Sequence, residues 1–436
     1  MRLLRETILL GIPSFVIVVN NPLAIAQTSA TETAPPRVRL QHTTHPLAAP
    51  ANAVGRVESG RKLERLLLLL TPRAGTEESL KQLLEDQQNR ESPKYHQWLT
   101  AAEFGAQFGA ADGDVKKVCE LLEEAGFTVG PVAASKLWLE FSGTVQQVET
   151  AFQTEMQYFE VRGKRYLGNA TDLTVPAAIA GITLGVVSLN NFGRRPPMHE
   201  PLNSNLTASA PTSTYSRAPW DFATIYNTKA LLTSGVDGTG VSIAVTAQSE
   251  IELTDVQKFR QTLQLKTNDP NILLNGPDPG VAGPLDAAEA LLDVEWAGAV
   301  APGATIDLVV AGSTDTTSGV DLAAAYAVDN EVAPILTYTY GSCEPMLGAT
   351  GNAFYNALWQ QAVAEGITVL VATGDSGAAG CDNPNAGMPA AWGVAVNGVA
   401  STPYNVAVGG TEFVVGANPT TFWNGTNAGG YLSGAG

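Results

Sequence analysis

The chain is poor in histidine where histidine would matter most. Its four residues are His42, His45, His96 and His199, and none follows among 436 positions. The C-terminal half therefore cannot hold a Ser-His-Asp triad or a histidine zinc site. Cysteine is scarce too: Cys119, Cys343 and Cys381 exclude a disulfide-dense scaffold and allow one bridge. Charged residues make up only 15%, and the 25 basic against 42 acidic side chains give a net charge of −17. That balance excludes phosphate-backbone binding, so no nucleic-acid partner is expected. No apolar run reaches the ~20 residues that span a bilayer, so no membrane association is expected either.

What is present begins with a secretory pattern. Arg2 and Arg5 precede the apolar stretch 8–19, and Ala24-Ile25-Ala26 offers a small-residue cleavage site. Residues 1–26 are read as a signal peptide and the chain as secreted. Residues 27–60, rich in Thr, Ala and Pro, are read as a poorly ordered lead. From 61 to 192 strand and helix patterns alternate. ERLLLLLTP (64–72), KLWLEFSG (136–143) and a hairpin turned at Gly163 are strands; 77–89, 114–127 and 144–152 are helices. Cys119 falls on an apolar helix face. Two strand–helix–strand units predict an α+β, ferredoxin-like domain. The segment 193–216, with Arg194-Arg195 and the sequon Asn205-Leu206-Thr207, is an exposed, cleavable linker.

Residues 217–436 read as an α/β domain with a doubly wound, mostly parallel sheet. Its strands are expected at 241–248, 304–312, 333–341, 367–374, 393–400 and 405–411, and its helices at 253–265, 320–328 and 353–366. The segment DAAEALLDVEWAGAVAPGA (286–304) places Glu289 and Asp293 four residues apart on one helix face. Buried together, they would form a coupled pair with a raised pKa, suited to general-base work. An exposed acidic helix edge is the plain alternative. In TGDSGAAG (373–380), Asp375 follows an apolar strand, where a parallel sheet presents reactive groups. A neutral carboxyl there would donate to an oxyanion, and an ordinary turn is the alternative. Cys343 and Cys381 both follow strand ends, which suits a disulfide in an oxidising compartment.

These pieces together resemble the sedolisins, serine-carboxyl peptidases of subtilisin-like fold with an N-terminal activation domain. The resemblance rests on SPKYHQWLT (92–100), FSGTVQQVETAF (141–152), WDFATIYN (220–227), EALLDVEWAGAVAPGA (289–304), YGSCE (340–344) and TGDSGAAG (373–380). It implies Glu289 as base, Asp293 as the acid orienting it, and Asp375 as the oxyanion carboxyl. It also implies substrate pairing at Tyr340, Gly341 and Ser342, with Thr339 where the family has Ser. The family's nucleophile lies in a Gly-Thr-Ser motif followed by Pro, and the 436 residues contain no such motif. The chain is accordingly read as truncated at its C-terminus and inactive as written, with the family's calcium ligands beyond residue 436. The resemblance implies protein or peptide substrates, a prodomain acting as intramolecular inhibitor, and a monomer working in acid. A non-catalytic peptide-binding protein and a tripeptidyl-peptidase are the alternatives. Acids of the 114–127 helix, Glu120, Glu123 and Glu124, are expected to hold the prodomain in place.

Overall fold

The computed structural model describes residues 36–193, 218–382 and 389–411. The signal segment and nearly all of the linker lie outside these residues. In chain order the N-terminal region runs β1 (Arg37–Arg39), a 3-10 turn (Pro50–Asn52), β2 (Ala53–Arg56) and β3 (Lys62–Leu70). It continues through α1 (Glu77–Gln88), α2 (Ala101–Gln107), α3 (Asp112–Glu124), β4 (Thr128–Val132) and β5 (Trp138–Thr144). The region ends with α4 (Val145–Phe152), β6 (Met156–Val161), β7 (Lys164–Asn169), β8 (Thr174–Pro176) and β9 (Thr183–Val186).

The antiparallel order β4-β5-β3-β9 is the ferredoxin-like arrangement, with the β6–β7 hairpin inserted before its last strand. The five consecutive leucines of β3 find their reason here, because both faces of that strand are buried. Leu66, Leu68 and Leu70 pack on Val118, Leu122, Val145, Val148 and Phe152 of α3 and α4. Leu67 and Leu69 join a second core that runs into the C-terminal region. Thr144 starts α4 with a capping box: its hydroxyl accepts from Gln147 N, and the Gln147 side chain returns to Thr144 N. Cys119 is a half-buried free thiol packed against this core. Residues 36–60 carry more order than their composition suggests, because β1 pairs with β8 and β2 with β6.

The C-terminal region runs α5 (Pro219–Ile225), α6 (Lys229–Thr233), β10 (Ser242–Ala247), α7 (Leu253–Thr262) and β11 (Asn271–Leu274). Then come α8 (Pro284–Val300), β12 (Thr305–Val310), α9 (Gly319–Asp329), β13 (Ile335–Tyr338), α10 (Glu344–Ala364), β14 (Thr368–Ala372) and β15 (Val406–Val408). Among the described residues the sheet order is β11-β12-β10-β13-β14-β15, with every pairing parallel. The alternation of strand side chains separates the two faces. Ile306, Leu308 and Val310 pack on Ala290 and Val294 of α8, whereas Val309 joins the core of α9 and α10.

Two details depart from the sequence reading. The segment 393–400 is not a ladder strand; only isolated bridges, Ala379 to Ala395 and Cys343 to Asn397, touch it. Gly393 there takes a positive φ of 75°, and the Asn397 side chain makes bonds that a strand would make with its backbone. The short edge strand β11 was not legible, because it carries four residues with Ile272 and Leu274 exposed.

Candidate active site

Helix α8 builds the site. Gly283 turns the chain with a φ of 72°, Pro284 opens the first turn, and Asp286, Glu289 and Asp293 follow along one side. This side faces the C-terminal end of β13, as expected for a parallel sheet. Glu289 is 4% exposed. Thr339, the residue after β13, donates its hydroxyl to Asp293 Oδ2 at 2.7 Å. The same hydroxyl faces Glu289. Glu289 Oε2 is buried and has no hydrogen-bond partner among the described residues.

Burial pushes the Glu289 carboxyl well above the ordinary range, and the charges of Asp293, Asp375 and Asp286 push it further. Burial also raises Asp293, against the opposing bond from Thr339. Two desolvated carboxyls so placed cannot both ionise readily, so the pair titrates as a unit rather than as two independent acids. The exposed-edge alternative for this helix is thereby set aside.

Around the pair lies a polar chain that the sequence did not reveal. Gly319 N donates to Ser313 Oγ at 2.9 Å, and Ser313 Oγ donates to Gln248 Oε1 at 3.1 Å. Gln248 Nε2 then donates to Asp286 Oδ1 at 2.8 Å. Burial raises the pKa of Asp286 despite that bond. The Tyr340 hydroxyl is buried beside Asp286, Glu289 and Asp293 without a well-formed hydrogen bond, and burial holds its proton firmly in place.

The other expected residues are placed unevenly. Asp375 follows β14 after Gly374, whose φ is 94°, and its charge is felt at Glu289. It is exposed, whereas the expected role called for a buried carboxyl. In the Tyr340-Gly341-Ser342 segment, both backbone groups of Ser342 are already engaged. Its N–H donates to Asn397 Oδ1 at 3.2 Å, and its carbonyl accepts from Gly398 N at 2.9 Å. Strand pairing with a substrate is therefore not open at Ser342. Asn397 is the residue the sequence reading missed. Buried to 6% exposure, it also accepts from Val399 N and donates to Ala372 O at 2.8 Å. One amide thus ties the ends of β13 and β14 together. An asparagine before glycine reads as a turn, and nothing local signals that role. Cys343 and Cys381 are joined, with Cα atoms 5.0 Å apart, beside the same segment.

An apolar cavity of about 520 Å³ adjoins the acid pair, lined by Phe222, Leu292, Asp293, Trp296, Ile335 and Leu370 among others. It lies over β13 and β14 on the α8 face, where Ile335, Thr337 and Leu370 stay half-buried. As for calcium, no three His, Cys, Asp or Glu side chains converge in a metal-holding group among the described residues. The described residues do not fit that ion, and no step below passes through it.

The N-terminal region is anchored to the C-terminal region at several points. Arg61 pairs with Asp315 through two bonds of 2.6 and 2.7 Å, and that carboxylate keeps Arg61 firmly protonated. Arg65 reaches Asn275 O at 2.7 Å while paired with Glu140. Asp329 accepts from Ala134 N and Ser135 N, and Glu331 accepts from Ala101 N. The acids that hold the N-terminal region thus lie on the C-terminal side. Glu120 instead pairs within α3 with Lys116 at 3.6 Å, which corrects the expectation placed on that helix.

Residues 50–192 match the family model described as the Pro-kumamolisin activation domain. The chain is 27% identical to xanthomonalisin of Xanthomonas sp. (strain T-22), over 77% of this chain and 43% of that protein. It is 28% identical to kumamolisin of Bacillus sp. (strain MN-32), over 76% of this chain and 60% of that protein. It is 27% identical to sedolisin of Pseudomonas sp. (strain 101), over 93% of this chain and 71% of that protein. The solved Pseudomonas sedolisin, a serine-carboxyl proteinase complexed with pseudo-iodotyrostatin, aligns over 51% of this chain and 58% of its own. That alignment has 24% identity and a TM-score of 0.37. The chain thus spans about half the length of the first two relatives it matches. Residues 50–192 thus carry an activation domain of the Pro-kumamolisin type, and over three quarters or more of its length the chain is similar to xanthomonalisin, kumamolisin and sedolisin.

Proposed function

We propose that the chain is the activation domain and acid–base half of a secreted serine-carboxyl endopeptidase that works in acid. One observation carries this reading: a buried carboxylate oxygen, Glu289 Oε2, has no partner among the described residues, while its neighbour Asp293 is held by Thr339. A buried acceptor left open costs stability, and such sites are kept where chemistry needs them. A serine hydroxyl brought to that oxygen would pass its proton to the pair as it attacks a peptide carbonyl. The pair would take it in the state in which one of its carboxyls is ionised, and the leaving amine would later receive it. Asp375 is the proposed oxyanion donor and would need burial by a bound substrate to act as a neutral acid. The 436 residues contain no Gly-Thr-Ser motif, so the nucleophile is proposed to come from outside them. The bare apolar face over β13 and β14 offers packing surface for the element that brings it. Residues 1–26 are proposed to direct secretion; no helix among the described residues is long and apolar enough to cross a membrane.

The test is hydrolysis of denatured casein in acid by the product of the complete gene, with and without Glu289→Gln. The reading expects hydrolysis and a loss of about a thousandfold or more in the variant. Unchanged hydrolysis in the variant would remove Glu289 from the mechanism. Binding of peptides without cleavage by the complete product would favour a non-catalytic role.

A further inference from the structure

The strand that precedes Thr339 is held on both of its faces. Side chains alternate along β13. Ile335, Thr337 and Thr339 face α8, while Leu336 and Tyr338 enter the core shared with α9 and α10. On that second face lies a buried carboxyl. Asp321, in the first turn of α9, is 0% exposed and accepts from the Tyr338 hydroxyl at 3.0 Å. It also accepts from the Tyr355 hydroxyl of α10, and the two hydroxyls lie 2.7 Å apart. The Tyr338 ring packs edge to face on Tyr340, Tyr355 and Trp359.

Three polar groups in this core carry a desolvation cost that an apolar set of the same shape would avoid. What they hold is the end of β13. Edge-to-face ring contacts tolerate small shifts along the strand, whereas a hydroxyl–carboxyl bond weakens steeply as it stretches or bends. Tyr338 and Thr339 are consecutive, so a shift of one carries the other with it. Helix α9 meets the acids of α8 a second time. Gly319, two residues before Asp321, opens the polar chain through Ser313 and Gln248 to Asp286. The first turn of α9 thus reaches α8 by two routes, one ending on Asp286 and the other, through Tyr338 and Thr339, on Asp293.

We propose that Asp321 is a positioning residue for the Glu289–Asp293 pair: through the Tyr338 hydroxyl it fixes the end of β13 so that Thr339 meets Asp293. The inference rests on reading those two acids as a coupled pair and names the support of that pair on another helix. Tyr355 shares the carboxyl but belongs to α10, so it braces Asp321 and does not itself place Thr339.

Carbon NMR titration of the Glu289 and Asp293 carboxyls in the full chain tests this. The Thr339 hydroxyl lowers the proton affinity of both acids, so loosening it raises their titration. Tyr338→Phe keeps the ring and should move the upper step upward by about half a pH unit, roughly threefold in proton affinity. Thr339→Val should move it in the same direction. Adding Tyr338→Phe to Thr339→Val should move it no further, because both act through one bond. Tyr355→Phe also takes a bond from Asp321 but leaves Tyr338 attached, and should leave the step in place.

A step unmoved by Tyr338→Phe, or an additive shift in the double variant, would overturn the proposal. An equal shift in Tyr355→Phe would overturn it too, since general loosening of the core would then be the cause. If Tyr338→Phe leaves Asp321 too short of donors to fold, it is made together with Asp321→Asn, which removes the buried charge. The same upward shift is then expected relative to Asp321→Asn alone, and its absence contradicts the proposal. A wild-type chain with no raised step would remove the acid pair itself, and this proposal with it. A raised step insensitive to Tyr338 leaves the pair standing and removes only the role of Asp321.

Discussion

The hydroxyl of Thr339 donates to Oδ2 of Asp293 across 2.7 Å, tying the end of β13 to the middle of α8. This bond orients Asp293 and lowers the proton affinity of both carboxyls. Thr339→Val should leave a buried acceptor unpaired and cost about 1–3 kcal/mol in urea unfolding. Thr339→Ser keeps the hydroxyl and should cost less than half as much. Equal losses in the two variants would mean that packing of the methyl group, not the hydrogen bond, sets the effect.

The raised acid pair predicts how stability depends on pH. Glu289 is lifted from 4.5 to about 8 in the folded chain. Its contribution is therefore whole below the ordinary value and is lost as pH rises through the folded one. Glu289→Gln should flatten the decline and be more stable than wild type above neutrality, by on the order of 1–3 kcal/mol. Unfolding free energies of the two proteins that run parallel across this range would contradict it.

Cys343 and Cys381 are 38 residues apart in sequence, so their bond closes a loop worth about 4 kcal/mol in the chain-entropy model. The paired substitution Cys343→Ser and Cys381→Ser should lower stability by a measurable part of that. It should also speed amide exchange at Gly398, whose N–H donates to Ser342. Exchange at Gly398 that stays unchanged would mean Asn397 alone holds this segment.

The Arg61–Asp315 pair joins the two regions, but both side chains are over a third exposed. Solvent screening limits Asp315→Asn to a cost of about 0.5–1 kcal/mol. The cost should shrink as salt is raised. Glu120→Gln, on the helix first expected to hold the activation domain, should cost nothing in the same denaturation assay. The reverse ranking would return that role to α3.

Much of the fold could be read from spacing. The five leucines of β3, the Thr144-to-Gln147 box and the apolar runs of β10, β12 and β14 each state their structure locally. Glu289 and Asp293 were legible because four residues bring two side chains onto one helix face. What local sequence could not carry are relations across the sheet. Asn397 looks like a turn residue until its amide is seen bridging β13 and β14. Thr339 looks like a strand hydroxyl until Asp293 lies beneath it. Glu365 ends a helix as any surface glutamate would, yet it is only 7% exposed. Asp375 shows the reverse error, since an apolar strand before it suggested burial that its own turn does not provide.

Site-resolved titration of the Glu289 and Asp293 side-chain carboxyls by carbon NMR tests the coupled pair most directly. The account predicts that the two respond together, in two steps, with the upper step well above the ordinary carboxyl range. It also predicts that Asp293→Asn moves the Glu289 transition downward, because the neighbouring charge is gone. Two independent transitions near the ordinary values, with Glu289 unmoved by Asp293→Asn, would show that the residues do not share a proton and that α8 carries no base.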